Sequence, residues 1–245
     1  MKKLLGKLSI IQLTVLSSAI LTLFVITLLF QNLSGKWHET VTVKQDAALI
    51  ILLDALEKVA HNHAVERGLT AGYLGSGTSE ARNKVLEQRS KADASIRHLK
   101  AVMTDVELHG TYLQDNLNIL FQHESGKSAL RNQIDQRDAP GAFAFYSDLN
   151  KIALDVAANL KNQIKHPELA ENLSAVFLLA QYKERLGQNR GKINGVLARK
   201  NLSANAQKDI AFYNLEVALL NKYLTATYMV EMLTCLKVFG LNPSL

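Results

Sequence analysis

Two short stretches with matching spacing decide the fold of this chain: residues 67–74 are RGLTAGYL and residues 190–197 are RGKINGVL. In each, an arginine-glycine pair is followed by a second glycine four positions after the first. Small residues spaced four apart form a ridge on a helix that lets another helix approach closely. Glycine costs roughly 1 kcal/mol relative to alanine inside a helix. We therefore predict that both stretches are helical and that four glycines serve helix packing, namely Gly68, Gly72, Gly191 and Gly195.

The composition of the whole chain also favours helices. Its 245 residues are 48 % hydrophobic and include only three prolines, which suits a packed helical core better than many short strands. Apart from Lys2, Lys3 and Lys7, the chain carries 25 basic and 22 acidic residues, without a basic stripe. A single cysteine excludes an internal disulfide. We predict an all-α chain that does not bind nucleic acid.

The N-terminal segment has the character of a membrane anchor. Residues 8–35 contain no charge, and residues 19–30, AILTLFVITLLF, are almost wholly apolar. A cleaved signal peptide, the alternative, usually has a shorter apolar core and a small-x-small cleavage site. We predict that residues 1–36 form a cytoplasmic N-terminus and a transmembrane helix. Because lysines precede the span, residues 37–245 are expected to form a periplasmic domain of a single-pass inner-membrane protein.

Turn-forming and capping residues divide the domain into about six helices. Short connections between helices of this length predict an antiparallel helical bundle. The first helix is expected to continue from the membrane segment and to run from about residue 39 to residue 74, with a stop at 75–77 and a cap for the next helix from Thr78 or Ser79. The second helix should extend to His109 and the third should begin at Thr111. The fourth should carry Pro140 and the fifth Pro167 in the first turn, and the sixth should follow residues 201–203 and end near residues 240–243.

Arg67 and Arg190 both lie within apolar stripes of their helices. At 100° per residue, each arginine points in the same direction as a run of mostly apolar side chains. A guanidinium that faces a core needs a partner because it does not lose its proton. The side chains within about 40° are Leu49, Leu53, Leu56, Ala60, Ala71 and Leu74 for Arg67, and Val176, Leu179, Lys183, Leu186, Asn194 and Leu197 for Arg190.

Negative charge from either of two sources would compensate these arginines. One source is an acidic residue on another helix. The other is a shared anion, because the flat fork of guanidinium donors matches two oxygens of a planar oxyanion such as nitrate. If both stripes face one bundle, the predicted ligand-binding residues are Arg67, Arg190, Lys183 and Asn194.

Residues 65–75, VERGLTAGYLG, and residues 183–197, KERLGQNRGKINGVL, resemble the two signature segments of the NIT family, the nitrate- and nitrite-sensing domain of bacterial receptors. The similarity extends over roughly residues 37–223. It implies an all-helical domain that binds nitrate or nitrite, with the arginines at positions 67 and 190 in ligand binding. Asn189 stands where the family usually has glutamate, so one acid beside the second arginine is missing.

The resemblance also implies an output module outside this chain, such as a chemotaxis, histidine kinase or diguanylate cyclase domain, and a homodimer. We therefore predict a membrane-anchored sensor of nitrate or nitrite. One alternative is a receptor for a small carboxylate. Another is a ligand-free bundle that binds a partner protein, with acidic residues in reach of both arginines and no cavity between them. No catalytic motif is present, so we predict no enzymatic activity, no cofactor and no metal site.

Overall fold

The computed structural model describes residues 9–104 and 111–238, and in the second range the side chains of residues 113–226. Within these ranges the chain is helical and contains no strand, which confirms the all-α prediction. The helices are α1 (Ile10–Ser76), α2 (Ser79–Thr104), α3 (Thr111–Ser125), α4 (Lys127–Asp135), α5 (Ala142–Lys161), α6 (Pro167–Arg199) and α7 (Ala204–Val238).

Several predicted boundaries are confirmed. Helix α1 ends at Ser76, and Gly77 adopts the left-handed φ of 65° that glycine tolerates best. The Thr78 hydroxyl then accepts a hydrogen bond from the Ala81 backbone N–H at 3.3 Å and so caps α2. Helix α6 begins at Pro167, as predicted.

Two boundaries differ from the prediction. The predicted third helix is divided at Gly126 into α3 and α4. The fourth predicted helix begins at Ala142, so Pro140 precedes it instead of occupying its first turn. The predicted ends of the second helix at His109 and of the sixth near residues 240–243 lie outside the described residues.

The chain divides into two compact units, residues 1–45 and 46–245. In the first unit, α1 is long and apolar enough to cross a membrane, and its side chains from Ile10 to Phe30 are exposed. Thr22 and Thr27 donate their hydroxyls to backbone carbonyls one turn earlier, at 2.8 Å each. Such bonds satisfy polar side chains in a hydrocarbon environment. The predicted anchor boundary at residue 36 stays a prediction.

In the second unit, α1, α2, α3 and α5 surround a common apolar core. The stripe predicted around Arg67 lies in this core, where its leucines are at most 7 % exposed from Leu49 to Leu56. Residues of α6, including Leu173 and Phe177, pack against the same core from outside. The core residues are Leu49, Leu52, Leu53, Ala55, Leu56, Val59, Ala60, Ile96, Leu99, Val102, Leu113, Leu117, Leu120, Leu149, Ala153, Val156, Ala157, Leu160 and Ile164.

Polar contacts fix the directions of α6 and α7. Arg185 pairs with Glu216 at 3.1 Å and Lys192 with Asp209 at 2.6 Å, so the two helices run antiparallel, as expected for neighbours along the chain. At the start of α6, buried Asp46 of α1 accepts hydrogen bonds from the backbone N–H groups of Lys165 and His166, at 3.1 and 3.0 Å.

Candidate functional site

The two glycine-containing stretches pack against each other, and they do so in parallel. A Cβ added at Gly191 would lie 3.6 Å from the Gly68 Cα, and one added at Gly195 would lie 3.6 Å from the Ala71 Cβ. Asn194 also donates its amide to the Gly68 carbonyl at 3.0 Å. The second glycine of each stretch is therefore placed near the other helix, and α1 and α6 approach closely at this point.

Arg67 is buried at this contact, with 1 % of the residue exposed. Its Nη1 donates to Glu184 Oε1 at 2.5 Å and its Nη2 to Glu184 Oε2 at 3.3 Å. Nη1 also donates to the Ser147 hydroxyl at 3.1 Å, and the guanidinium lies over the Phe143 ring, 5.2 Å from its centroid. The arginine fork therefore grips a planar two-oxygen acceptor inside the protein.

The Glu184 carboxylate has a third donor. Asn150 of α5 donates its Nδ2 to Glu184 Oε2 at 3.1 Å, and only 11 % of the Glu184 side chain is exposed. We call the donor atoms Arg67 Nη1, Arg67 Nη2 and Asn150 Nδ2 the carboxylate cradle. Helices α1 and α5 supply the cradle, whereas α6 supplies the carboxylate that occupies it.

Arg190 has a different environment from Arg67. Its side chain is exposed, and within the described ranges it has no hydrogen bond or ion pair. The stripe predicted around it is also exposed, with Val176 at 54 %, Leu186 at 41 % and Leu197 at 69 %. The expectation that this stripe faces a core is therefore wrong for this chain. The reason is that α6 turns Gly187, Gly191 and Gly195 toward α1, which directs Arg190 elsewhere.

The four residues predicted to bind the ligand consequently lie in two places. Arg67 and Asn194 both lie at the α1–α6 contact, where Arg67 is buried. Lys183 is half-exposed and pairs with Glu57, and both Lys183 and Arg190 line a groove of about 600 Å³ that does not include Arg67. Their role in ligand binding stays a prediction.

Residues next to Arg67 form a second buried network of charges. Glu66 accepts from Arg131 Nε and Nη2 at 2.8 Å each and from the Tyr146 hydroxyl at 2.6 Å. Burial and the nearby Glu66 carboxylate raise the pKa of Tyr146, so it remains a donor. Glu66 therefore holds α1 to α4 and α5, directly beside the site of Arg67.

Sequence reasoning missed Glu184, Ser147, Asn150 and Phe143 as neighbours of Arg67. Glu184 belongs to the quoted stretch 183–197, directly after Lys183, so the motif contained one available signal. The predicted alternative of an acid in reach of each arginine holds for Arg67. Ser147, Asn150 and Phe143 on α5 lie in no recognisable motif. Their proximity to Arg67 depends on how α5 packs.

Two cavities adjoin the Arg67–Glu184 pair besides the groove of about 600 Å³, which Glu184 also lines. One of about 210 Å³ is lined by Arg67, Thr70, Phe143, Lys192, Arg199 and Asp209, among others. The other, of about 490 Å³, is lined by Ser147, Lys151, Glu184, Arg185, Gln188 and Tyr213, among others. The first is smaller than the pockets that hold drug-sized ligands and the second lies within their range of about 300–1,000 Å³, so each has room for a small solute.

Fold and site together define a class: an all-helical domain in which two motif-bearing helices enclose a buried arginine that grips a planar anionic group. The chain belongs to the NIT family, described as nitrate and nitrite sensing, whose model matches residues 58–228. A solved structure of the NasR transcription antiterminator has a similar fold, with a TM-score of 0.71 at 18 % sequence identity. That similarity covers 82 % of this chain and 55 % of the antiterminator, so the chain spans about half of its length. A comparison with curated protein sequences found no match.

Proposed function

We propose that this chain is a sensor that binds nitrate or nitrite at Arg67 and passes the signal to an output module outside the chain, without catalysing a reaction. Membership of a nitrate- and nitrite-sensing family supports the choice of ligand. The observation that carries the site is the guanidinium fork of Arg67, buried in the protein and engaged with both oxygens of one carboxylate.

Arg67 suits this ligand for reasons of geometry and charge. Nitrite is a bent group with two oxygens, like a carboxylate, and nitrate is planar with the same arrangement along each edge. A guanidinium donates two parallel hydrogen bonds to such an edge, and each bond to a charged partner contributes about 1.5–3 kcal/mol. The proposal also includes Arg190, which the resemblance to the family predicts, and Lys183 and Asn194, which the sequence pattern around Arg190 predicts. In this structure Lys183 and Arg190 line a groove that does not include Arg67.

Calorimetric titration of the full chain in detergent tests the assignment. Nitrate and nitrite are titrated separately in a buffer without other oxyanions. We expect Arg67→Gln to weaken binding at least about 100-fold, because it removes the charged fork. Arg82→Gln, which changes an exposed arginine on α2, serves as the matched control and should bind as the unmodified chain does. Equal affinity in Arg67→Gln and the control would refute the site.

The same titration of an Arg190→Gln variant tests whether Arg190 contributes to nitrate binding. Its side chain is exposed, so folding should be unaffected, and thermal melting checks this. We propose that the substitution weakens nitrate binding. Unchanged affinity would remove Arg190 from the site and leave Arg67 in place.

A second candidate ligand is a small carboxylate such as formate or acetate. The observation that favours it is that the Arg67 fork holds a carboxylate in this structure. A thermal-shift panel of nitrate, nitrite, formate and acetate separates the two proposals. Stabilisation by formate or acetate, with no response to nitrate or nitrite, would favour the carboxylate receptor.

We also propose that α1 anchors the chain in the inner membrane with its N-terminus in the cytoplasm and residues 37–245 in the periplasm. Its length and apolar composition support a span, and the lysines at positions 2, 3 and 7 support this orientation. The proposal includes a homodimer, which rests on the family resemblance. Sedimentation of the detergent-solubilised chain measures the oligomeric state.

A further inference from the structure

We infer that Glu184 is a built-in competitor of the ligand, which occupies the carboxylate cradle until the anion replaces it. The inference rests on the proposed function, because it concerns the same arginine. It adds a positioning residue on α6 and states what binding changes in the protein. The ligand class is a planar oxyanion with two oxygens that fit where the carboxylate oxygens lie.

Most donors of Arg67 are already engaged or enclosed. Nη1 already donates to Glu184 and Ser147, and Nη2 donates to Glu184. Nε is buried and has no hydrogen-bond partner among the described residues, and the side chain as a whole is 0 % exposed. An added Cβ at Gly187 would lie 3.3 Å from Nη2, so the α6 backbone closes that side as well. An anion therefore gains the edge formed by Nη1 and Nη2 only by taking the position of the Glu184 carboxylate.

The donors of the carboxylate cradle do not depend on α6. Its donors belong to Arg67 on α1 and Asn150 on α5, and both residues are buried. Ser147, also on α5, donates its hydroxyl to the Phe143 carbonyl at 2.8 Å, which orients its oxygen to accept from Arg67. The site is therefore built without Glu184, and an incoming oxyanion finds its donors already arranged.

Glu184 also has space to leave. It lines the cavity of about 490 Å³, where Lys151 pairs with Asp155 and Arg185 pairs with Glu216, and it lines the groove of about 600 Å³ together with Lys183 and Arg190. In the groove, Arg190 is exposed and has no ion pair among the described residues, so the released carboxylate has water and an available cation nearby. Its desolvation cost is thereby reduced on release.

Exchange of the two anions links ligand binding to helix position. In this structure Glu184 ties α6 to α1 and α5 through the buried cradle. When nitrate or nitrite occupies the cradle, the charge of Arg67 is still balanced, but α6 has lost that tie. Binding of the anion to the cradle and binding of the Glu184 carboxylate to the cradle then compete. By linkage, each lowers the equilibrium constant of the other by the same factor.

The test compares nitrate binding to Glu184→Gln with binding to Glu57→Gln in the full chain. Glu57 is the matched control because it also joins α1 to α6 through an ion pair, with Lys183, but both side chains are about half exposed. We expect Glu184→Gln to bind nitrate at least about tenfold more tightly, which corresponds to about 1.4 kcal/mol. Glu57→Gln should leave the affinity unchanged. A purely structural role for Glu184 predicts the opposite sign, because loss of a buried partner weakens the fold and any site in it.

If Glu184→Gln does not fold, Glu184→Asp provides a second test of the competitor role. It keeps the negative charge but shortens the side chain by one methylene, so the carboxylate no longer reaches both Arg67 nitrogens. Tighter nitrate binding is expected here too. Unchanged or weaker nitrate binding in both variants, with wild-type binding intact, would overturn the competitor role and leave the proposed function standing. A wild-type chain that binds neither nitrate nor nitrite would overturn the proposed function itself.

Chemical rescue supplies an independent readout. Glu184→Ala leaves an empty cradle of carboxylate shape, so sodium formate should raise the melting temperature of this variant in a saturable way. It should also compete with nitrate for binding. Glu57→Ala should show neither effect. Absence of formate stabilisation in a folded Glu184→Ala variant would contradict a cradle built for planar oxyanions.

Discussion

His63 lies in the core of the second unit beside a lysine, and its contacts fix its protonation. Its Nδ1 is 2.7 Å from the Val59 carbonyl and therefore carries the proton, whereas Nε2 accepts from Lys127 Nζ at 3.3 Å. Burial, followed by the charge of Lys127, lowers the pKa of His63 to about 4. The imidazole is consequently neutral at physiological pH.

This shift predicts a loss of stability in acid. Below pH 6.5 the unfolded chain takes up a proton at His63 that the folded chain refuses until about pH 4. The free energy of unfolding should therefore fall by about 3 kcal/mol between pH 6.5 and pH 4 because of His63 alone. Urea titrations across this range measure it, and His63→Gln should flatten the profile.

His61→Gln is the control for that experiment. Its pKa is lowered in the same direction by partial burial and by Lys183, but His61 is half-exposed, so its contribution should be smaller. The lowered pKa of Asp93 also removes stability in acid, mainly below pH 3.8, but this contribution is the same in both variants. A profile that is equally steep in both variants would contradict the role of His63.

At the same scale, Arg67 and Arg190 show how far helical periodicity can predict a site. Periodicity gives the direction of a side chain on its own helix, and the apolar stripe around Arg67 was predicted correctly in this way. It does not give the element that covers a stripe, so it could not separate buried Arg67 from exposed Arg190. Glu184 lies 117 positions from Arg67, and a pairing over that distance depends on tertiary packing.

Among the elements, the parallel pair of α1 and α6 places glycines where the helices leave little space. A Cβ added at Gly191 would lie 3.0 Å from Cε2 of the Phe143 ring, which itself stacks on Arg67. A Cβ added at Gly68 would have nothing within 4 Å. The two motifs therefore contain one glycine with a crowded environment and one with an open environment at the same motif position.

Alanine substitutions at these two positions should have opposite effects. Gly68→Ala is expected to stabilise the protein by up to about 1 kcal/mol through helix propensity. Gly191→Ala gains the same helix propensity but crowds the Phe143 ring. Because overpacking costs about 1–3 kcal/mol, we expect a net decrease in the free energy of unfolding. Chemical denaturation measures both. Equal stabilisation by the two substitutions would show that the α1–α6 contact has space for a methyl group at residue 191.

Local sequence predicted most helix ends because the caps are local. Gly77 with its positive φ, the Thr78 cap and Pro167 in the first turn all act within a few residues. The division between α3 and α4 escaped prediction. Gly126 is crowded by the Phe145 ring at 3.3 Å from an added Cβ, and that contact comes from another helix.

For the whole molecule, the proposed membrane orientation of α1 predicts the compartment in which residues 37–245 lie. The predicted topology depends on the three lysines before the span. Alkaline phosphatase fused after residue 245 should be active, because this enzyme folds in the periplasm. Replacing Lys2, Lys3 and Lys7 by glutamate should lower that activity.

The control for topology changes three exposed lysines of the second unit, Lys58, Lys84 and Lys91, in the same way. Charges this far from the span have little influence on orientation. Phosphatase activity should therefore be retained. An equal loss of activity in both variants would contradict a role for the N-terminal lysines.

Asp46 determines the kind of motion that release of Glu184 can produce. It holds the first residues of α6 through the backbone of Lys165 and His166, and this attachment does not involve the carboxylate cradle. Glu184 lies eighteen positions after His166, about 27 Å along the helix axis. A rod fixed at its base and freed part-way along pivots more readily than it slides. The Asp46 attachment therefore acts as a pivot for α6, and the hydrogen bond from Asn194 to the Gly68 carbonyl, further along the helix, limits how far α6 can move from α1.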